Sequence, residues 1–202
     1  MTIQITRPRL LVVEGTEERL FFEALIRHMG LPDIQVLPIG GKTNLRRNLK
    51  ALVLSPGFAD VVSLGVVRDA DEDPAAAFQS IRDALEAVSL PVPTTPLSPT
   101  GENPRVTIMI LPAENKPGAL EDLCLRSVAG DPAAACVENY FQCLQKQGLR
   151  APQNLSKAWV QAFLASRQEA GKRLGEAAQA GYWPWSDNAF ADVRNFLSCI
   201  NA

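Results

Sequence analysis

Gly65-Val66-Val67-Arg68-Asp69-Ala70-Asp71-Glu72-Asp73 is the stretch on which the reading of this chain turns. It is the end of an apolar run, Val61 to Val67, that stops abruptly in acid. A short apolar run bounded by polar turn residues predicts a buried strand. Open α/β sheets collect their ligands at the carboxyl ends of their strands, so a strand that ends in carboxylates is a candidate site. The same pattern stands near the N-terminus, where a run from Leu10 ends in Val12-Val13-Glu14-Gly15. Two such strands in one small domain say more than either alone.

Outward from these runs, strands and helices alternate. Leu20, Phe21, Ala24, Leu25, His28 and Met29 recur at helical spacing behind Thr16, which can cap a helix, and Gly30 and Pro32 end it. Ile34 to Ile39 predicts a second strand, closed by Gly40-Gly41. Asn44 to Leu54 predicts a helix with Leu45, Leu49, Leu52 and Val53 on one side, and Pro56-Gly57 breaks the chain before Val61. Pro74 suits the first turn of a helix whose apolar face is Phe78, Ile81, Leu85 and Val88. Ser89 to Pro104 holds five prolines and predicts a surface loop, and Val106 to Leu111 predicts a fourth strand. Beyond Pro117-Gly118 the texture changes to alanine-rich helices over about 119–129, 133–147, 154–166, 169–179 and 188–199. The alternation implies parallel pairing through crossover helices, and near-continuous apolar strands fit a sheet covered on both faces. The expectation is an α/β fold with a mostly parallel sheet of about four strands. Residues 1–116 form the α/β domain, and 117–202 form a helical C-terminal segment packed on it or appended to it.

Composition narrows the function classes. The formal net charge of −2 and a pI near 5.5 give no global pull toward nucleic acid or an anionic membrane, so such contact needs a local basic patch or a metal. The four cysteines form no Cys-x-x-Cys pair, which argues against a zinc ribbon and predicts reduced, mostly buried thiols. The N-terminus lacks the apolar core of a signal peptide and no run approaches a membrane span, so the expected setting is soluble and cytoplasmic.

The acids carry the chemistry. In an extended segment residues two apart point the same way, so Asp69 and Asp71 are expected to aim at one point beyond the strand. Magnesium takes a few hard oxygen ligands and keeps several waters, and Glu14 supplies a third carboxylate from the other strand. Like charges crowded at a strand end repel unless a cation neutralises them. Glu18, one helical turn beyond Glu14, can reach the same site; Glu17 and Glu18 equally suit a first turn by complementing the helix dipole. Glu72 and Asp73, just before Pro74, take that helix-start reading too.

Glu14-Gly15 at the end of a first strand, followed by Asp69-Ala70-Asp71 at the end of a later one, resembles the TOPRIM domain of topoisomerases, bacterial primases, recombination-repair proteins and OLD-type nucleases. The stand-alone OLD-like branch is the nearest. Its first motif reads Glu-Gly-x-x-Asp-x-x-Phe-Phe, against Glu14-Gly15-Thr16-Glu17-Glu18-Arg19-Leu20-Phe21-Phe22 here, with Glu18 where aspartate is usual. The Gly40-Gly41-Lys42 turn and the acidic run also match, and the resemblance covers about residues 8–125. It implies a Rossmann-like sheet with Glu14 as general acid/base or metal ligand. Asp69 and Asp71 are then ligands of Mg²⁺ (or Mn²⁺), Glu18 is a further ligand, and the site holds one ion or two.

The same resemblance offers Glu121 as a ligand for a second ion, although a first-turn helix acid is the simpler reading. Lys42, Arg46 and Arg47 after the Gly-Gly turn can contact phosphate without reading sequence, or be a solvated helix face. Lys157 matches a late lysine of OLD-like nucleases by position only, and Arg68 reads as local charge balance. His28, the single histidine, reads as a surface or partly buried imidazole, which leaves histidine-rich metal sites out. Tyr182-Trp183-Pro184-Trp185 can stack bases or pack a helix junction. No nucleophile elbow, Walker loop or topoisomerase tyrosine is recognisable. The expected function is Mg²⁺-dependent phosphodiester chemistry on nucleic acid or a nucleotide. The alternative is a non-catalytic metal- or nucleic-acid-binding module working with a protein partner, away from membranes. A dehalogenase-like phosphatase is disfavoured by Asp73, where threonine or valine would stand, and a nucleotide-sugar transferase would leave Glu14-Gly15 idle.

Overall fold

Four parallel strands lie in the order β2-β1-β3-β4: β1 (Arg9–Val13), β2 (Ile34–Pro38), β3 (Ser63–Asp69) and β4 (Arg105–Leu111). The structure is a computed structural model that describes residues 4–202, Lys42 by its backbone alone. The fold is α/β with a Rossmann-like sheet flanked by helices, as the alternation implies. Arg9 pairs with both Ile34 and Ser63, and the β3–β4 ladder runs from Ser63↔Arg105 to Asp69↔Leu111.

The strand order fixes where helices must go. The chain steps from β1 to β2 through α1 (Thr16–Met29), then crosses back over β1 to β3 through α2 (Leu45–Val53) and on to β4 through α3 (Pro74–Glu86). Right-handed crossovers in opposite directions put α1 on one face and α2 and α3 on the other. Leu10, Val12, Leu64, Val66, Ile108 and Ile110 meet α2 and α3, while Leu11, Val13, Val67, Met109 and Leu111 point the opposite way. A single helix cannot cover that second face. The segment after residue 117 completes the cover: α4 (Leu120–Ser127), α5 (Pro132–Lys146), α6 (Leu155–Ala165), α7 (Leu174–Gln179) and α8 (Ala191–Asn201). Val160, Phe163, Trp183, Phe196 and Ile200 share one buried cluster with the strands. Each such side chain contributes roughly 1.5–3 kcal/mol by leaving water.

Two glycines allow the close approaches. A Cβ on Gly65, in the middle of β3, would collide with Ile200 Cδ1 and touch Phe196, so α8 lies flat on the sheet only because position 65 is bare. A Cβ on Gly175 would stand 2.7 Å from the Glu17 carbonyl oxygen and from Leu20 Cβ, which lets α7 lie against α1. The Gly175 N–H also donates to Glu17 Oε2 at 2.8 Å, so that first-turn acid has a docking role that its position alone did not announce.

Several local expectations are corrected. Helix α1 is capped by Gly15, with Thr16 as its first residue. The predicted helix 169–179 begins only at Leu174, because the chain turns through Gly171 and restarts where Glu176 accepts from the Arg173 N–H at 2.8 Å. Of the cysteines only Cys124 is fully buried, Cys136 and Cys143 lie exposed on α5, and all four are free. The proline-rich loop is more than surface filler. Leu97 donates to the Ile108 carbonyl at 2.8 Å, and Thr100 and Val106 exchange backbone bonds of 2.9 and 2.8 Å, so the loop covers the outer edge of β4. Covered edges do not recruit foreign strands. Among the described residues, no helix is long and apolar enough to cross a membrane.

Candidate functional site

Because the connection leaving β1 runs to β2 on one side and the connection leaving β3 runs to β4 on the other, the β1/β3 boundary is the switch point of the sheet, where open α/β folds leave a crevice. Glu14 and Asp69 stand at the C-terminal ends of these two strands. The Gly40-Gly41 turn closes the edge beside them: Ile39 donates to the Val13 carbonyl at 2.9 Å and Gly41 to the Glu14 carbonyl at 2.8 Å. Both glycines have positive φ, 72° and 95°, so side chains there would strain the turn.

Asp69 ends the β3 ladder and points to the face of α1 and α4. Its Oδ1 accepts from the Leu120 N–H, the first residue of α4, at 3.1 Å. Burial pushes its carboxyl well above the usual range, and the charges of Glu14, Glu18 and Glu121 push it further, against that one hydrogen bond. Glu18 folds back over the start of α1, and a Cβ on Gly15 would stand only 3.0 Å from its Oε2. Burial raises the Glu18 carboxyl, N–H groups of Glu18 and Gly15 oppose this, and Glu121 and Glu17 add repulsion. Glu18 thus serves the helix start and the acid cluster together, and Gly15 is the residue that leaves room for it. Glu121, in the first turn of α4, is the fourth member, felt by Asp69, Glu18 and the buried Cys124.

Glu14 occupies the other side of the cluster. Its side chain is 18% exposed and its Oε1 lies 3.6 Å from Arg68 Nε. Burial raises its carboxyl; the Arg68 charge and the Asp69 N–H oppose, while Asp71 and Glu18 add to the rise. Among the described residues, Glu14 Oε1, Arg68 Nε and Arg68 Nη1 are all buried without a hydrogen-bond partner. Arg68 and Asp71 line an open cleft of about 600 Å³ with Ala70, Glu72 and Asp73.

Asp71 departs from the expected geometry. The strand ends at Asp69, and Asp71 is an exposed residue in the left-handed region at φ 52°, so the alternation that was to aim both aspartates at one point does not extend to it. Its backbone instead exchanges hydrogen bonds of 2.9 and 2.7 Å with Gly118, which ties the β3–α3 loop to the segment entering α4. Asp73 caps α3, its Oδ1 accepting from the Ala76 N–H at 2.9 Å, with Pro74 in the first turn as expected.

The outlying candidates separate. Arg46 and Arg47 are exposed on α2, and Arg47 donates to Asn44 Oδ1 at 2.7 Å. The Lys42 side chain lies outside the described residues. Lys157 is exposed in the first turn of α6, and His28 is exposed. Trp183 is 1% exposed, donates to the Leu174 carbonyl at 3.1 Å and stacks on Phe163, so it packs a helix junction and has no face for a base. Arg68, read as local charge balance, faces Glu14 from the neighbouring strand. One contributor escaped the sequence reading. Asp122 carries no signal that separates it from Glu121, yet it caps α4 by accepting from the Ala119 N–H at 2.8 Å and accepts from the Ser156 hydroxyl at 2.5 Å.

Among the described residues, no three histidine, cysteine, aspartate or glutamate side chains already converge as a metal cage. What suits a hard cation is the donor chemistry. Carboxylates are raised by burial and by one another's charge, and Glu14 Oε1 is buried with no hydrogen-bond partner. Each raised carboxyl marks a cost that a cation in the cluster removes.

A family model described as a protein of unknown function, DUF3226, matches residues 8–200. No curated protein matches the chain. Among solved structures, the C-terminal region of the Xanthomonas campestris pv. campestris OLD protein is similar at 16% identity and a TM-score of 0.53, over 98% of this chain and 96% of that one. The C-terminal region of the Burkholderia pseudomallei OLD protein follows at 15% identity and 0.52, over 98% of each chain. A hypothetical protein from Pyrococcus horikoshii OT3 is similar at 16% identity and 0.60, over 97% of this chain and 96% of that one. At these identities the likeness is one of fold.

Proposed function

The chain belongs to the DUF3226 family, proteins of unknown function, and we propose that its acid cluster carries out Mg²⁺- or Mn²⁺-dependent phosphodiester chemistry on nucleic acid. The observation that carries this reading is the juxtaposition of Glu14 and Asp69 at the switch point, coupled by charge to Glu18 and Glu121. The TOPRIM-like order of Glu14-Gly15, Gly40-Gly41 and Asp69-Ala70-Asp71, nearest to the OLD-type nucleases, supports it, as does the OLD-like fold.

In this reading Asp69, Glu18 and Glu121 are the ligands on the buried side and Asp71 stands at the exposed mouth. A divalent ion bound there would supply Lewis-acid polarisation of the phosphodiester. Glu14, whose carboxyl burial raises, stands beside the ligands as the candidate to take or give a proton. The Leu120 N–H fixes the Asp69 carboxylate, and the Gly15 gap lets Glu18 approach. Arg46 and Arg47, with Lys42, stand beyond the Gly-Gly turn on the same edge and would hold the backbone of a nucleic acid. Residues 1–116 carry most of the site, and 117–202 add Glu121 and the cover of the sheet.

Nicking of supercoiled plasmid tests the proposal. Cleavage should require Mg²⁺ or Mn²⁺ and disappear in Asp69→Ala; no cleavage with either metal would sink it. One observation favours a second reading, a non-catalytic module that binds metal or nucleic acid beside a partner: the ligands are not yet gathered around one point. Nucleic-acid binding without turnover would select that reading.

A further inference from the structure

Arg68 enters neither reading, yet it is the most conspicuous charge at the strand ends. Its side chain is 14% exposed, its Nε lies 3.6 Å from Glu14 Oε1, and its Nε and Nη1 are buried without hydrogen-bond partners among the described residues. A guanidinium is removed from water at high cost unless opposite charge faces it. The side-chain alternation of β3 explains where it goes. Val66 and Ala70 belong to the cluster under α2 and α3, so Arg68, between them, projects to that side, while Val67 and Asp69 project toward α1 and α4. Glu14 therefore stands between Arg68 on one side of the sheet end and Asp69 on the other. On one side Glu14 already faces a fixed cation. On the other, the charges acting on Asp69 and Glu18 among the described residues are acidic: Glu14, Glu18 and Glu121 on Asp69, and Glu121 and Glu17 on Glu18.

We propose that Arg68 fills the place of a second cation, so that the cluster takes a single divalent ion, on the side of Asp69, Glu18 and Glu121, while Glu14 keeps the guanidinium as its partner. A divalent ion beside Glu14 would stand within a few ångströms of a positive charge that the strand holds in place, and the repulsion excludes it. This rests on the metal-dependent reading above and decides the ion number that the resemblance leaves open.

The test is the stoichiometry of Mn²⁺ on the full chain, from calorimetry together with the electron paramagnetic resonance signal of free Mn²⁺. The wild type should bind one ion per chain. Arg68→Gln should bind two, Arg68→Lys, which keeps the charge, should bind one, and Arg68→Met serves as a second neutral variant should the glutamine form fail to fold. Two ions in the wild type would overturn this inference and leave the metal-dependent reading standing. So would one ion in the neutral variants, or a lysine variant that behaves like the glutamine one. No ion bound at any accessible concentration would overturn both.

Discussion

Asp69 and Asp71 are two residues apart in the chain and differ in almost everything that the fold controls. Asp69 is the last residue paired in the β3–β4 ladder, held by an N–H of α4 and pressed among other acids. Asp71 is exposed, left-handed, and fastened through its backbone to Gly118. The difference shows how far a strand's alternation can be carried. It holds while the ladder lasts, and one residue later the chain follows loop geometry. An Asp-x-Asp at a strand end is therefore two unlike carboxylates, one set by the sheet and one by the loop.

Replacing each in turn is the strongest way to break that contrast. Asp69→Asn should cut metal-dependent nicking by more than about 100-fold, the scale of removing a buried electrostatic stabiliser. Asp71→Asn should cost nearer to 10-fold, as for groups that support a metal site from outside. Equal losses in a plasmid-nicking time course would mean that the two act as one unit. Stability should move oppositely to activity. In metal-free protein Asp69→Asn removes a repelled charge while its Oδ1 can still accept from Leu120, so the melting temperature should rise by roughly 2–4 °C per kcal/mol of repulsion removed.

Acid pH sharpens the same contrast. The carboxyls of Asp69, Glu14 and Glu18 are raised in the fold, so between their unfolded values near 4 and their raised values the native state holds more protons than the unfolded chain. Stability then falls as pH rises through that window and is regained as pH drops. Metal-free protein should therefore melt higher at pH 5 than at pH 7, a slope that Asp69→Asn should flatten and saturating Mn²⁺ should reverse. Asp131, whose carboxyl Arg167 holds below the usual range, works in the other sense, but its contribution is lost only below about pH 4. A flat melting profile from pH 5 to 7 would contradict the acid cluster as described.

Much of this was legible beforehand because it rests on short-range rules. The four strands follow from apolar runs stopped by acid, glycine or proline, and the helix start at Asp73-Pro74 from capping chemistry. What could not be read depends on contacts distant in the chain. Glu17 receives an N–H from Gly175, Asp69 one from Leu120, and Gly65 is small for the sake of Ile200. Nothing local to residues 65, 17 or 69 encodes those partners. Arg68 lies between the two cases. Its place in an apolar strand was visible, but its meaning depends on Glu14 arriving from another strand.

A smaller effect is expected from the residue that makes room for the buried side. Gly15 has a φ of −147°, which alanine adopts without strain, so Gly15→Ala tests space alone. Its Cβ would crowd Glu18 Oε2 at 3.0 Å. Mn²⁺ affinity should fall by roughly 10-fold, as for residues that orient metal ligands, with little change in melting temperature. An unchanged affinity in a Mn²⁺ titration would remove Glu18 from the ligand set.

Asp73→Ala should disturb the chemistry least, and it makes the contrast complete. Asp73 belongs to the same acidic run as Asp71 and lines the same cleft, yet its Oδ1 is engaged by the Ala76 N–H at 2.9 Å at the head of α3. Loss of an N-cap costs about 1 kcal/mol, or about 2–4 °C in a chain of this size. Metal affinity should hold to within about twofold, since an exposed charge outside the ligand set is screened by salt. If Mn²⁺ binding weakened as much in Asp73→Ala as in Asp71→Asn, the exposed acids would act by summed charge, and the special place given to Asp71 by its left-handed backbone and its bonds to Gly118 would have no chemical consequence.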